Sequence, residues 1–138
     1  MRKHYSFSQL ASLMARLRGP AGCPWDRKQT HKSLLKYLRE ESLEVADAVR
    51  KGRPDHLCEE LGDLLLQIMF HSQIASEKGR FSIHDVVDEL AKKLVRRHPH
   101  VFGSMKLATA RQVAARWDDI KKMERALKKQ DRSRPRRP

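Results

Sequence analysis

Four carboxylates are spaced to work together. Glu41 and Glu44 are three residues apart, as are Glu60 and Asp63, so each pair shares one face of a helix. Gly52-Arg53-Pro54 lies between the pairs and reads as a tight turn: Gly suits a helix C-cap, and Pro with Asp55 suits the start of the next helix. In an antiparallel hairpin turning at Gly52, Glu44 stands level with Glu60 and Glu41 with Asp63. Four acids in one helical turn would repel each other, and some would stay protonated. A hard divalent cation removes that repulsion. An all-oxygen set without Cys or His favours Mg²⁺, or Mn²⁺ in its place, over Zn²⁺. A di-iron bundle would want His where Asp63 stands. Gly62, between two of the acids, implies close approach of a neighbour or ligand, or tight packing.

The charge pattern around the hairpin agrees. Residues 40–63 hold eight acids against three bases, although the chain as a whole carries a net charge of +13. A solvated helix face is the ordinary source of such a run; a bound cation is the more specific one.

The elements that must carry these residues are helices. Leu plus Ala supplies 28 of 138 positions and Val plus Ile only 11, a mix that favours helix over strand. Apolar spacing predicts a first helix over Phe7–Leu17, a loop over Gly19–Thr30, and the hairpin helices over about His31–Lys51 and Asp55–Lys78. A fourth opens at a capping box, Ser82–Asp85, and runs to about Arg97; a fifth opens at Thr109–Gln112. Its inner face is Val113, Trp117, Ile120, Met123 and Leu127. The expectation is an all-α bundle of about four to five helices with short connections, one domain over residues 1–130 and a basic tail over 131–138 that packs no core.

Composition excludes other classes. No apolar run approaches the ~20 residues that cross a bilayer, and Met1–Leu10 has no apolar stretch of the kind a secretory signal needs. Cys23 and Cys58 make no disulfide framework and suit a cytoplasmic setting. Residues 121–138 contain nine Lys or Arg and two acids. That excess supports a rival reading, a basic helical protein that binds nucleic acid without catalysis, but it leaves the acids of 40–63 unexplained.

The same residues carry a family resemblance. Glu40-Glu41-Ser42-Leu43-Glu44 followed by Glu60-Leu61-Gly62-Asp63 resembles the E-E-x-x-E and E-x-x-D signature of the MazG-type nucleotide pyrophosphohydrolases. Gly22-Cys23-Pro24-Trp25-Asp26, Leu61–Leu66 and Lys93–Gly103 resemble further stretches of that family, in the same order, so the likeness spans about Leu17–Lys121. It implies an all-α NTP pyrophosphatase fold, dimeric or larger. It also implies a reaction of NTP and water to NMP and pyrophosphate, with Mg²⁺, by attack of a metal-activated water at the α-phosphorus, in the service of clearing unwanted nucleotides. By position, Glu41, Glu44, Glu60 and Asp63 are the implied metal ligands, and Glu40 with Glu41 the implied catalytic acids, Glu40 supporting the metal or orienting the water. Lys93, Arg97, Trp117 and Lys121 are implied nucleotide and phosphate contacts. His56 stands where some members have Lys.

Each of these residues also has an ordinary reading. Lys93 and Arg97, four apart, suit a helix C-terminus without any ligand. Trp117 at helical spacing is core as readily as a base platform. Trp25 plugs a loop or joins the nucleotide pocket. Gln67 is a hydrogen-bond partner of the acids or exposed surface, and His71 is ordinary surface.

Overall fold

The computed structural model describes residues 3–133 and is helical throughout its regular structure. Seven helices occur among the described residues: α1 Phe7–Leu17, α2 Pro24–Lys28, α3 Leu35–Lys51, α4 Pro54–Glu77, α5 Ile83–Arg97, α6 Pro99–Phe102 and α7 Ala110–Ser133. The two beyond the expected four to five, α2 and α6, are single turns inside segments read as loops. Each starts with Pro at its first position, which supplies a helical φ where no N–H partner is needed. Among the described residues the chain divides into two compact units, one up to Val87 and the other from Asp88 onward.

In the first unit, Ser6 opens α1 with a capping box: its Oγ accepts from the Gln9 N–H at 3.2 Å, and Gln9 Oε1 accepts from the Ser6 N–H at 2.8 Å. The Thr30 and Ser33 hydroxyls accept reciprocally from each other's N–H ahead of α3, at 3.1 and 2.9 Å respectively, so α3 proper starts at Leu35 rather than His31. Gly52 ends it at φ +63°, a left-handed conformation that favours glycine. Arg53 is the N-cap of α4, with no side-chain bond to the helix, and Asp55 lies in the first turn. The two-residue link makes α3 and α4 an antiparallel pair, and they form the most extensive helix packing in the fold; α1 also packs on α4.

The core of this unit is Met14, Leu34, Met69, Phe70 and Ile74, with Leu10, Ala11, Tyr37, Leu65 and Ile83 against it. Each fully buried large side chain contributes roughly 2 kcal/mol of transfer free energy. The core sits beside the second half of α4, leaving the first half to the acids.

Two arginines fix the loop between α1 and α3. Arg18, with a side chain only 8% exposed, pairs with Glu77 at 2.8 Å and donates to the carbonyls of Asp26 and Gln29. Arg27 donates to the carbonyls of Gly19 and Pro20 at 3.0 and 2.9 Å.

In the second unit, α7 opens at the expected box, Gln112 N–H donating to Thr109 Oγ1 at 3.2 Å and Thr109 N–H to Gln112 Oε1 at 3.3 Å. Of its expected inner face only Ile120 is buried; Met123 and Leu127 are exposed, as are Val87, Leu90 and Leu94 of α5. Helix α7 runs on through Asp131–Ser133, into the segment read as tail. The rest of that segment, 134–138, lies outside the described residues.

Candidate metal centre

The hairpin brings its four acids together. Glu41, Glu44, Glu60 and Asp63 each offer a carboxylate oxygen, and these atoms lie within 4.8 Å of one another. Helix α3 supplies the first two and α4 the others, level across Gly52 as the symmetry of the spacing requires. Glu60 is only 6% exposed, Glu41 and Asp63 are half-buried, and Glu44 is exposed. The group therefore has a closed floor and an open rim.

Its electrostatics are those of crowded carboxylates. Hydrogen bonding with the Glu44 carboxyl lifts Glu60 to a pKa of about 7, with burial and the Glu44 charge adding to the effect. Burial, then the charges of Glu44 and Asp63, raise Glu41. His56 Nε2, one turn before Glu60 on α4, lies 3.7 Å from Glu60 Oε1 and counters the shift when protonated.

Two oxygens test whether a cation fits. Glu41 Oε2 and Glu60 Oε2 are sealed from solvent with no hydrogen-bond partner. Buried polar atoms are nearly always partnered, and a carboxylate oxygen accepts only. A hard cation satisfies both, and an all-carboxylate set suits Mg²⁺ or Mn²⁺. Glu40 is exposed at the edge of this group, outside the converging set, and acts on it through its charge on Glu41. A Cβ at Gly62 would meet nothing within 4 Å, so neither close approach nor tight packing within this chain requires that glycine.

Trp25, on α2, is half-exposed at 50%, its ring edge-on to Tyr37 and Phe70 with centroids 5.8 and 6.4 Å away. The other expected nucleotide contacts belong to the second unit. Arg97 holds Glu124 at 2.9 Å beside Arg96 at 2.7 Å, and the two arginines pull the Glu124 carboxyl down to about 2. Trp117 donates its indole N–H to the Arg97 carbonyl at 2.6 Å and meets the His98 ring edge-on at 5.1 Å, which closes the C-terminus of α5. Lys121 Nζ lies 5.9 Å from the Trp117 ring centre. Lys93 is half-buried on α5, one turn before Arg97.

Sequence reasoning left Gln67 open and misread His71. Gln67 is buried with its Oε1 unpartnered. His71, read as surface, stacks on His31 with centroids 5.0 Å apart and Nδ1 atoms at 2.7 Å. The i, i+4 run Asp63–Gln67–His71 on α4 was the available signal. The long separation from His31 gave none.

Known proteins resemble this chain. A family model described as the MazG nucleotide pyrophosphohydrolase domain matches residues 29–102, which include all four acids. The nucleoside triphosphate pyrophosphohydrolase/pyrophosphatase MazG of Thermotoga maritima is 51% identical over 126 residues, 91% of this chain and 48% of that protein. The nucleoside triphosphate pyrophosphohydrolase of Escherichia coli K12 is 46% identical over 123 residues, 88% of this chain and 47% of the relative. The crystal structure of a mazG-related protein from Thermotoga maritima superposes with a TM-score of 0.66 at 28% identity, covering 82% of this chain and 96% of that one. The chain spans about half the length of these two curated relatives. It belongs to the MazG nucleotide pyrophosphohydrolase domain family.

Proposed function

We propose that this chain is a Mg²⁺-dependent nucleoside triphosphate pyrophosphohydrolase that splits NTP and water into NMP and pyrophosphate, with Mn²⁺ able to substitute, and that it clears unwanted nucleotides. The observation that carries this reading is the pair of sealed, partnerless carboxylate oxygens on Glu41 and Glu60 within a four-acid group. The two curated relatives are named for the same activity.

Glu41, Glu44, Glu60 and Asp63 would hold the metal. Such a cation, when bound, offsets phosphate charge and makes an adjacent water more acidic. To Glu40 and Glu41 we assign the acceptance of a proton from the attacking water and its orientation toward the α-phosphorus. In the second unit we assign Lys93, Arg97 and Lys121 to phosphate oxygens and Trp117 to the base. Arg97 then exchanges one carboxylate, Glu124, for a phosphate of similar geometry. Trp25 is assigned to the nucleotide by its exposed ring.

The exposed apolar residues of the hairpin support a homodimer or larger assembly: Leu43 is 68% exposed and Val49 59%. No helix among the described residues is long and apolar enough to cross a membrane. Both cysteines are free, in keeping with a cytoplasmic protein. The exposed Lys and Arg of late α7 suit a weak contact with nucleic acid, which a salt-sensitive gel shift would detect.

The deciding experiment incubates canonical and modified NTPs with and without Mg²⁺ and scores NMP plus pyrophosphate against NDP plus phosphate. Mg²⁺-dependent NMP and pyrophosphate are expected. NDP as the product, or no turnover together with a nucleic-acid shift, overturns the proposal in favour of another hydrolase or of the binding protein.

A further inference from the structure

We propose that Gln67 is a specificity-determining residue that reads the nucleoside, its carboxamide hydrogen-bonding a donor group of the base or the sugar. The inference rests on the nucleotide chemistry proposed above.

Three side chains of α4 end in sealed polar atoms without partners: Glu60 Oε2, Gln67 Oε1 and His71 Nε2. Their positions fall within a sector of roughly 40° on one helix, at 3.6 residues per turn. One stripe of α4 therefore presents carboxylates, then an amide, then an imidazole, moving away from the hairpin turn. Gln67 is one turn beyond Asp63, about 6 Å along the axis, so a nucleotide whose phosphates are held at the acids can lay its sugar or base along this stripe. His71 marks the far end, its Nδ1 already tied to His31.

The chemistry of the amide supports this use. Gln67 is 6% exposed, and an unpaired buried amide destabilises the fold where Leu or Met would pack without penalty. A polar residue kept at such a place needs a ligand to explain it. The amide is neutral, with one acceptor and two donors, which suits a neutral nucleoside better than a phosphate. Its terminal torsion is soft, so the oxygen can swing to a ligand. A site that hydrogen-bonds a substrate group rejects the analogue lacking that group.

The test uses the full chain and Gln67→Met, which keeps length and removes both donor and acceptor. Pyrophosphate release is measured for four ribonucleoside and four deoxyribonucleoside triphosphates with Mg²⁺, and thermal shifts for the same eight compounds and their monophosphates. The ligand-free melting temperature of Gln67→Met is expected to hold or rise. The preferred nucleotide is expected to lose about tenfold in kcat/KM relative to the others, the worth of one hydrogen bond. A changed ranking among bases assigns the contact to the base edge; a change confined to ribose against deoxyribose assigns it to the 2′-hydroxyl. Selectivity preserved within twofold overturns the proposal, as does a uniform loss over all eight compounds.

If the parent releases no pyrophosphate, the activity proposal fails separately, and the thermal shifts still decide the role of Gln67. Absence of any nucleotide-dependent shift in the parent overturns it. If Gln67→Met does not fold, Gln67→Asn, which retracts the amide by one methylene, is read in the same way. Failure of both to fold makes the amide structural and also overturns the inference.

Discussion

Glu60 on α4 faces Glu44 on α3 across the hairpin, and hydrogen bonding with the Glu44 carboxyl, with burial, lifts Glu60 to a pKa of about 7. A carboxylate pair strained in this way is poised to trade its proton for a cation. Glu60→Gln keeps the shape, removes the charge and leaves only a weak neutral oxygen for the metal. Pyrophosphate release is expected to fall by about a hundredfold or more, at least the scale seen when metal-site partners are removed, with an unchanged far-ultraviolet circular dichroism spectrum. Turnover within threefold of the parent would take Glu60 out of the ligand set.

The raised Glu60 carboxyl predicts proton-linked metal binding. A cation entering the group must displace the proton that Glu60 retains near neutrality. Mg²⁺ affinity is expected to strengthen from pH 6 to pH 8. Calorimetry at pH 6.5 in two buffers of different ionisation enthalpy should show net proton release. Equal apparent enthalpies in both buffers would mean that the group was already fully ionised.

The hairpin was legible in the sequence because both its signals are local: a left-handed glycine at position 52, then Pro54, with i, i+3 acids on either side. The equal spacing of both acid pairs from Gly52 converts these local signals into a contact. The long-range features left no comparable trace. The partner of Arg18 is 59 residues away and that of His71 is 40 residues away, and neither belongs to a periodic pattern. Helices α2 and α6 leave no periodic trace, because one turn is too short to show periodicity. Apolar spacing alone suggests core for the stripe of α7, and the same spacing recurs on α5. Spacing identifies an apolar face but not what covers it, and Leu90, Leu94, Met123 and Leu127 are exposed in this chain.

Gly22 is required by space. A Cβ there would lie 2.2 Å from the Leu17 carbonyl oxygen and 2.3 Å from that of Arg16, both backbone atoms that cannot swing away. The close approach lets the Cys23 N–H donate to the Leu17 carbonyl at 2.8 Å and sets Pro24 to start α2. Gly22→Ala is expected to destabilise the first unit by about 2 kcal/mol or more, in the range of overpacking and backbone strain. Chemical denaturation would read this as a lower midpoint with an unchanged slope. An unchanged midpoint would show that the turn relaxes freely.

Stability should change with pH in one sense at the acid group and in the opposite sense at Glu124 and His71. Glu60 and Glu41 are raised above their ordinary value of 4.5. Over the window from 4.5 to about 7 the folded metal-free chain therefore binds more protons than the unfolded one, and stability falls as pH rises. Glu124 is lowered from 4.5 to about 2 by Arg97 and Arg96. Its contribution is fully present above 4.5 and is lost as pH falls toward 2. His71 is held below 6.5 by burial and by His31, so its contribution is present above 6.5 and declines as pH falls through its folded value. Melting curves of the metal-free protein between pH 2.5 and 8 separate these effects. Glu60→Gln should reduce the decline between 4.5 and 7, and Glu124→Gln should weaken the acid limb below 4.5 while leaving the neutral limb alone. Added Mg²⁺ should reverse the neutral decline in the parent but not in Glu60→Gln, because only the parent exchanges a crowded proton for the ion. A neutral limb unaffected by either Mg²⁺ or Glu60→Gln would dissociate these carboxylates from the pH response.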